Sequence, residues 1–529
     1  MGAAGKGMRM KFWKAATLAC AAVLALAGQA KADWFEARSG HFLVYSEGKE
    51  EAVRDFATRL ERFDAGMRKL RGLEERQGDA SNPVIVYVVS DLGAVQKLCG
   101  IGRPGSFCQG VAGFYQPRAG GAVIFTPRRS GEGSKLDLNS QIVLFHEYAH
   151  HFMFGNYAAA FPAWFVEGFA EFHSTAEIGK DGSIDFGRPA FHRYRSLLAG
   201  QMPPLVKLIG ATPESLGNEG REALYARGWL LTHYLTFSGN RTGQLGAYIK
   251  ALNQGKPPAD AAASAFGNLI LLDRELDKYL RQRKLSYWAM KPQGVPAVAL
   301  RRLTPGEAAL MPVRIRSDRG VDEKAAKQVV ADARRLAAGF PNDPGAQIAL
   351  AEAEYDVGND DSAEAAADRA LAADPKNREA LLYKGRARVR RAQKAKSEDA
   401  AVWKEARSWF VKANRAEPDA AEPLILFYES FHSQGIRPTA NAITGLERAY
   451  QLAPQDPSLR FAMAREFITA DRLEEARVAL APLAYDPHAA ADNEAARLIA
   501  LIDKGDKAAL RAKLEEKPAE AKEAKQPPK

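Results

Sequence analysis

The stretch from Ile142 to Phe154 is apolar over most of its length, yet it carries His146, Glu147 and His150 in the order H-E-x-x-H. A helix apolar nearly all round is a buried helix. Two imidazoles and a carboxylate inside it are costly unless they are paired or hold a metal ion. With ~3.6 residues per turn, positions four apart share a face, so both imidazoles can point at one ion. That is what a tetrahedral zinc site needs from two of its ligands. Glu147 follows the first of them and stands beside the open position. There it can take a proton from zinc-bound water and later give it to a leaving group. Gly155-Asn156 supplies a stop for the helix. The plainer alternative is a pair of hydrogen-bonded core histidines.

A third protein ligand is needed. The next segment, Phe161-Pro-Ala-Trp-Phe-Val-Glu167-Gly-Phe-Ala-Glu171-Phe, opens a second helix at Pro162 and sets Glu167 and Glu171 four apart on one face. Together with H-E-x-x-H, Glu167-Gly168-Phe169-Ala170 resembles the gluzincin metallopeptidases, the thermolysin and zinc-aminopeptidase group. The resemblance implies that Glu167 is the third zinc ligand. It also implies that Glu171 hydrogen-bonds His146 and fixes its ring, although a solvated helix charge is the other reading of Glu171. Residues 151–166, between His150 and Glu167, form a shorter connection than in the best-known aminopeptidases.

Leu224-Tyr225-Ala226-Arg227-Gly228-Trp229 is similar to the Tyr-x-Lys-Gly element of the same enzymes, with Arg227 in place of lysine. The resemblance gives Tyr225 the role of stabilising the oxyanion; otherwise it is a packing aromatic. The remaining histidines show no ligand spacing.

Residues 1–32 have the layout of an export signal: a basic front with Lys6, Arg9, Lys11 and Lys14, an apolar stretch from Ala15 to Ala27, and Ala30-Lys31-Ala32 as a cleavage site. The apolar run falls short of a membrane span, and no later run reaches spanning length. The expected mature protein is periplasmic or secreted, with no membrane span. It keeps two cysteines, Cys99 and Cys108, flanking a Gly/Pro loop; in an oxidising compartment they read as a disulfide rather than metal ligands. The formal charge of +10 falls to +5 beyond residue 32. With no arginine-rich or basic–aromatic stretch, nucleic acid is not an expected partner.

Along the chain, a strand at His41–Ser46, a helix from about Glu50 to Leu70 and a strand at Pro83–Val89 precede a hairpin formed by Val111–Tyr115 and Ala122–Thr126. In gluzincins an edge strand before the zinc helix pairs with substrate, a role the resemblance offers to Ala122–Thr126; a plain sheet edge is the alternative. Beyond Gly320 the offsets Ala363-Ala367-Ala370-Pro375 recur as Ala406-Phe410-Ala413-Pro418 and Ala442-Leu446-Ala449-Pro454, with a weaker unit around Ala476 and Pro487. They resemble tetratricopeptide repeats, which imply a stacked α-solenoid with a concave surface; an irregular helical bundle is the alternative.

The expected architecture is an α+β zincin-like peptidase domain at 33–290, a linker at 291–320, an all-α tetratricopeptide-type solenoid at 321–505 and a disordered tail at 506–529. The expected function is that of an exported, zinc-dependent peptidase acting on a peptide or protein substrate. In that reading the repeats bind a protein partner and are separable from cleavage of short peptides. The rival from another class is a non-catalytic scaffold; a small-molecule zinc hydrolase is a third reading.

Overall fold

A computed structural model of the chain describes residues 33–100, 107–131, 133–199, 202–211, 213–486 and 492–515. The expected export signal, the middle of the loop between the cysteines, Pro487 and residues 516–529 lie outside the described residues.

The first part is built on a six-stranded mixed sheet. Its strands are β1 (Trp34–Arg38), β2 (Phe42–Glu47), β3 (Val84–Val89), β4 (Phe114–Gln116), β5 (Val123–Pro127) and, from far along the chain, β9 (Ala299–Arg302), in the order β4-β5-β3-β2-β1-β9. β2, β3 and β5 run parallel, whereas β4, β1 and β9 pair antiparallel with their neighbours. Both faces are covered, which explains why β3 and β5 read as unbroken apolar runs. Phe42, Val44, Val86 and Ile124 face one core, shared with α1 (Glu50–Arg71), α3 (Ser140–Asn156) and α4 (Ala163–Ser174). Leu43, Tyr45, Tyr87 and Phe125 face the other, under α2 (Leu92–Cys99) and α11 (Pro305–Arg319). A three-stranded antiparallel sheet of β6 (Glu177–Ile178), β7 (Ile184–Phe186) and β8 (Trp288–Met290) lies beside α1, and helices α5 (Tyr194–Ala199) to α10 (Leu269–Leu280) complete this part.

Three expectations are corrected. Ala122–Thr126 does not form the edge: β5 lies between β3 and β4, and the edge belongs to β4. All five residues of β5 are buried, as an interior strand requires. The stretch 291–320 is no bare linker, because β9 extends the sheet and α11 packs on its second face. Residues 507–515, placed in the disordered tail, form helix α22 (Lys507–Glu515), which buries Leu510 against the preceding helices.

From α11 onward the chain is helical and pairs sequentially. α13 (Pro344–Asp356) packs on α14 (Asp360–Ala373), α15 (Arg378–Lys394) on α16 (Ala400–Ala416), α17 (Ala421–Gln434) on α18 (Ala440–Leu452), and α19 (Pro457–Thr469) on α20 (Leu473–Ala484). Ala363, Ala367, Ala370, Ala406, Ala413, Ala442 and Ala449 are fully buried at the helix contacts. Their small side chains let neighbouring backbones approach closely. Among the described residues no helix is long and apolar enough to cross a membrane.

A buried charge cluster ties the start of β2 to α1. The backbone N–H of His41 donates to Glu61 Oε1 and its Nδ1 lies against Glu61 Oε2, both at 2.8 Å, with Asp64, Asp79 and Arg68 around them. Burial alone would lower the His41 pKa, but Glu61 and Asp64 outweigh it and raise it above 6.5; for Glu61, burial is outweighed by His41 and its pKa falls below 4.5. The His41 contribution to stability is therefore present below pH 6.5 and lost as pH rises through its raised folded value. That of Glu61 is present above pH 4.5 and lost as pH falls through its lowered folded value. The difference in denaturant midpoint between wild type and Glu61→Gln should peak between pH 4.5 and 6.5 and shrink on either side. A difference that does not vary with pH contradicts this coupling.

Candidate metal centre

Asn139 starts α3 by accepting the Ile142 N–H at 2.9 Å, and the helix then runs unbroken through both histidines. The second helix, α4, follows Pro162 and is buried at every position, including Glu167 and Glu171. α4 crosses α7 (Pro213–Phe237) at two glycines. A Cβ on Gly168 would fall on the Gly228 carbonyl, and one on Gly228 would fall on the Trp164 carbonyl. With no side chain at either position the backbones touch, and this close crossing brings Tyr225 and Glu222 of α7 to the glutamates of α4.

His146 Nε2, His150 Nε2 and Glu167 Oε2 converge on one point. They are 3.1 Å apart between the imidazoles, 3.3 Å from His146 to Glu167 and 3.6 Å from His150 to Glu167. Ligands held at ~2.0–2.1 Å on a tetrahedral ion lie roughly 3.3–3.4 Å apart, so this triangle has the edge of a zinc site. Among the described residues these three form the group able to hold a metal ion. Glu147 and Tyr225 line the same cleft, about 230 Å³ in volume, together with Tyr115, Val143, Phe154 and the segment Gly110–Gly113.

Glu171 is the hub beneath the triangle. Its Oε1 lies 3.2 Å from His146 Nδ1 and accepts from Arg193 Nη2 at 2.7 Å, while its Oε2 lies 2.8 Å from His192 Nε2. Burial would raise this carboxyl, but Arg193, His146 and His192 prevail and hold it well below the usual range. The solvated reading of Glu171 is thus excluded, as it is 1% exposed. Burial would likewise lower the His146 pKa, yet Glu167 and Glu171 hold its proton up to about 10. The pocket favours positive charge at this point. Neither Nδ1 makes a hydrogen bond among the described residues; that of His146 lies at ion-pair distance from Glu171, whereas the His150 ring packs along Phe154.

The Tyr225 ring lies tilted against the His146 ring, centroids 5.7 Å apart, and under the Arg193 guanidinium, 4.7 Å from its centroid. The Glu167 carboxylate, then burial, push its hydroxyl well above 10, so it stays a proton donor. Arg227, the residue in the lysine position, pairs with Asp273 and does not line the cleft. Cys99 and Cys108 are joined in a disulfide, Cα–Cα 5.6 Å, which anchors the end of α2 just before the Gly110–Gly113 wall. Arg193, His192 and Glu222 were not singled out in the sequence. Arg193 also donates to both Glu222 oxygens at 3.0 and 3.1 Å. Only the placement of Glu222 one turn before Tyr225 could have hinted at this. The other histidines within the first part serve the core: His151 meets the Tyr115 hydroxyl, His173 the Phe169 carbonyl, and His233 the Tyr279 hydroxyl and Gly187 carbonyl.

Comparison with known proteins bears on the second part of the chain. The tetratricopeptide repeat family model matches residues 344–387, which span α13, α14 and the first turns of α15. No curated protein matches the sequence. Solved structures similar to this one include a thermophilic tetratricopeptide protein of Thermus thermophilus, at 22% identity over 37% of this chain and 94% of that one, with a TM-score of 0.28. MamA is 14% identical over 36% of this chain and 91% of its own, TM-score 0.24. An assembly chaperone of RpL4 is 15% identical over 39% and 86%, TM-score 0.24. The chain contains a tetratricopeptide repeat within its helical second part.

The triangle and the glycine crossing make a joint prediction. Purified protein should carry one zinc per chain, and His150→Ala should lose most of it. Gly228→Ala should also weaken zinc retention, without touching a ligand, because the new methyl group forces α4 and α7 apart. Elemental analysis decides both; a His150→Ala protein with wild-type zinc content contradicts the ligand assignment.

Proposed function

We propose that the protein is a repeat-built scaffold whose first part is an exported, gluzincin-like zinc peptidase. The observation that carries the catalytic half is the convergence of His146, His150 and Glu167 to within 3.1–3.6 Å, with Glu147 and Tyr225 in the same cleft. A bound zinc ion supplies a water with pKa ~7 and polarises the carbonyl to be attacked.

The chain's own residues do the rest. Glu147, beside the first ligand, accepts the proton of the attacking water and delivers it to the departing amine nitrogen. The Tyr225 hydroxyl, kept protonated, donates to the oxygen that gains charge when the carbonyl is attacked. Glu171, itself fixed by Arg193 and His192, holds the His146 ring in register through its Nδ1. The Cys99–Cys108 bridge supports an oxidising compartment, periplasmic or extracellular.

A second reading, a scaffold that binds protein partners and performs no catalysis, is the one that the family match favours, because the matched residues 344–387 are a tetratricopeptide repeat. The two readings differ at Glu147, which is not a ligand. Glu147→Gln should keep zinc and fold while peptide hydrolysis falls by ~10²–10⁴. A digest of a peptide library by wild type and variant makes the comparison. Equal cleavage by both, or cleavage by neither, gives the second reading the place.

A further inference from the structure

The first helices of the solenoid pairs, together with α11, share one face, represented by Arg314, Glu352, Glu379, Glu422 and Asp456 around a cavity of about 350 Å³. In an isolated solenoid such a face is open to a ligand. Here the first part of the chain already lies on it. Asn82 donates from Nδ2 to the Asp419 carbonyl at 2.7 Å and accepts the Ala421 N–H on Oδ1 at 2.9 Å, at the start of α17. The β4–β5 turn enters the same face. The Ala119 N–H donates to Asp456 Oδ2 at 2.6 Å, and Ala119 joins the apolar cluster of Ala421, Ile425 and Leu459. Gly120 sits where any Cβ would meet the Glu422 carboxylate, at 2.7–2.9 Å.

Two contacts with the solenoid lead straight to the metal cleft. Ala119 belongs to the hairpin whose edge strand β4 continues from the Gly110–Gly113 wall. Arg460, only 2% exposed, donates from Nη2 to the Phe154 carbonyl at 3.2 Å, in the last turn of the helix that bears His146 and His150. A cation at a helix C-terminus satisfies end carbonyls and complements the helix dipole. Phe154 itself lines the cleft.

We infer that the inner face of the solenoid is a docking surface for the protein's own first domain, and that Asp456 and Arg460 are positioning residues for the metal cleft. Asp456 fixes the hairpin that walls the cleft, and Arg460 fixes the end of the metal-bearing helix. On this inference the repeats are not separable from the cleft, unlike the expectation from the sequence. Removing them would bare the β4–β5 turn and the end of α3. The docking claim stands apart from any chemistry; only its effect on turnover rests on the peptidase reading.

The test uses the full chain. Asp456 also caps α19 through Oδ1, accepting from Ser458 and Leu459. Asp456→Ser keeps a cap while losing reach to Ala119. Arg460→Met removes the donor and keeps the apolar stem, and Arg460→Lys is the conservative rescue. Amide hydrogen exchange, read by mass spectrometry, should rise at least about tenfold in 114–122 for Asp456→Ser and in 152–157 for Arg460→Met. Segments 34–47 and 360–373 should stay within about twofold of wild type, and Arg460→Lys should recover part of the protection. If the peptidase reading holds, KM for a peptide rises in both variants while kcat stays close to wild type. A purely structural role would not split the two constants in that way. Wild-type exchange in both target segments overturns the proposal, and so does a uniform rise across all segments. A protein that cleaves nothing leaves the exchange result to decide docking by itself.

Discussion

The arrangement depends on the burial of two imidazoles and a carboxylate at one point between α3 and α4. Side by side in a low-dielectric interior, these groups are stable only around a positive charge. Glu171 adds further negative charge from below, and Arg193 stops that charge from becoming excessive by pairing with both Glu171 and Glu222. Around it, His146 has Glu171, Glu171 has His192, and Tyr225 has Arg193 on its ring. The crossing at Gly168 and Gly228 makes the cluster possible, because any side chain there would move α7 and its tyrosine away.

The sheet and the solenoid both serve this point. β3 and β5 form a rigid floor buried on both faces, from which β4 and the Gly110–Gly113 segment reach over the cleft. The disulfide secures one end of that segment and the solenoid secures the other, through Asp456. α11 belongs to both halves, packing on the sheet with Met311 and Ile315 and on the first solenoid helices with Leu310 and Val313. The two halves therefore share a core helix, not merely a tether.

The parts legible in the sequence were those whose chemistry is local. His146 and His150 are one turn apart, Glu167 lies in the very next helix, Cys99 and Cys108 close a short loop, and the alanine offsets at 363, 406 and 442 mark helix contacts by their regularity. Arg193, His192 and Glu222 escaped notice because their partners sit on other helices, at spacings fixed by tertiary packing alone. The edge strand was misassigned because chain order does not give sheet order. Val123-Ile124-Phe125, apolar on both faces, was in fact the pattern of an interior strand. The docking of the first domain on the solenoid left no trace either, since pairs such as Asn82 with Asp419 have no periodicity.

The central claim is that one ion is held jointly by two imidazoles of α3 and a carboxylate of α4. X-ray absorption at the zinc edge of the full-length protein tests it most directly. The account predicts only nitrogen and oxygen neighbours at ~2.0–2.2 Å, with the outer-shell scattering of two imidazoles, reduced to one in His146→Ala. A sulfur neighbour at ~2.3 Å, or a shell of oxygens with no imidazole signature, would contradict it.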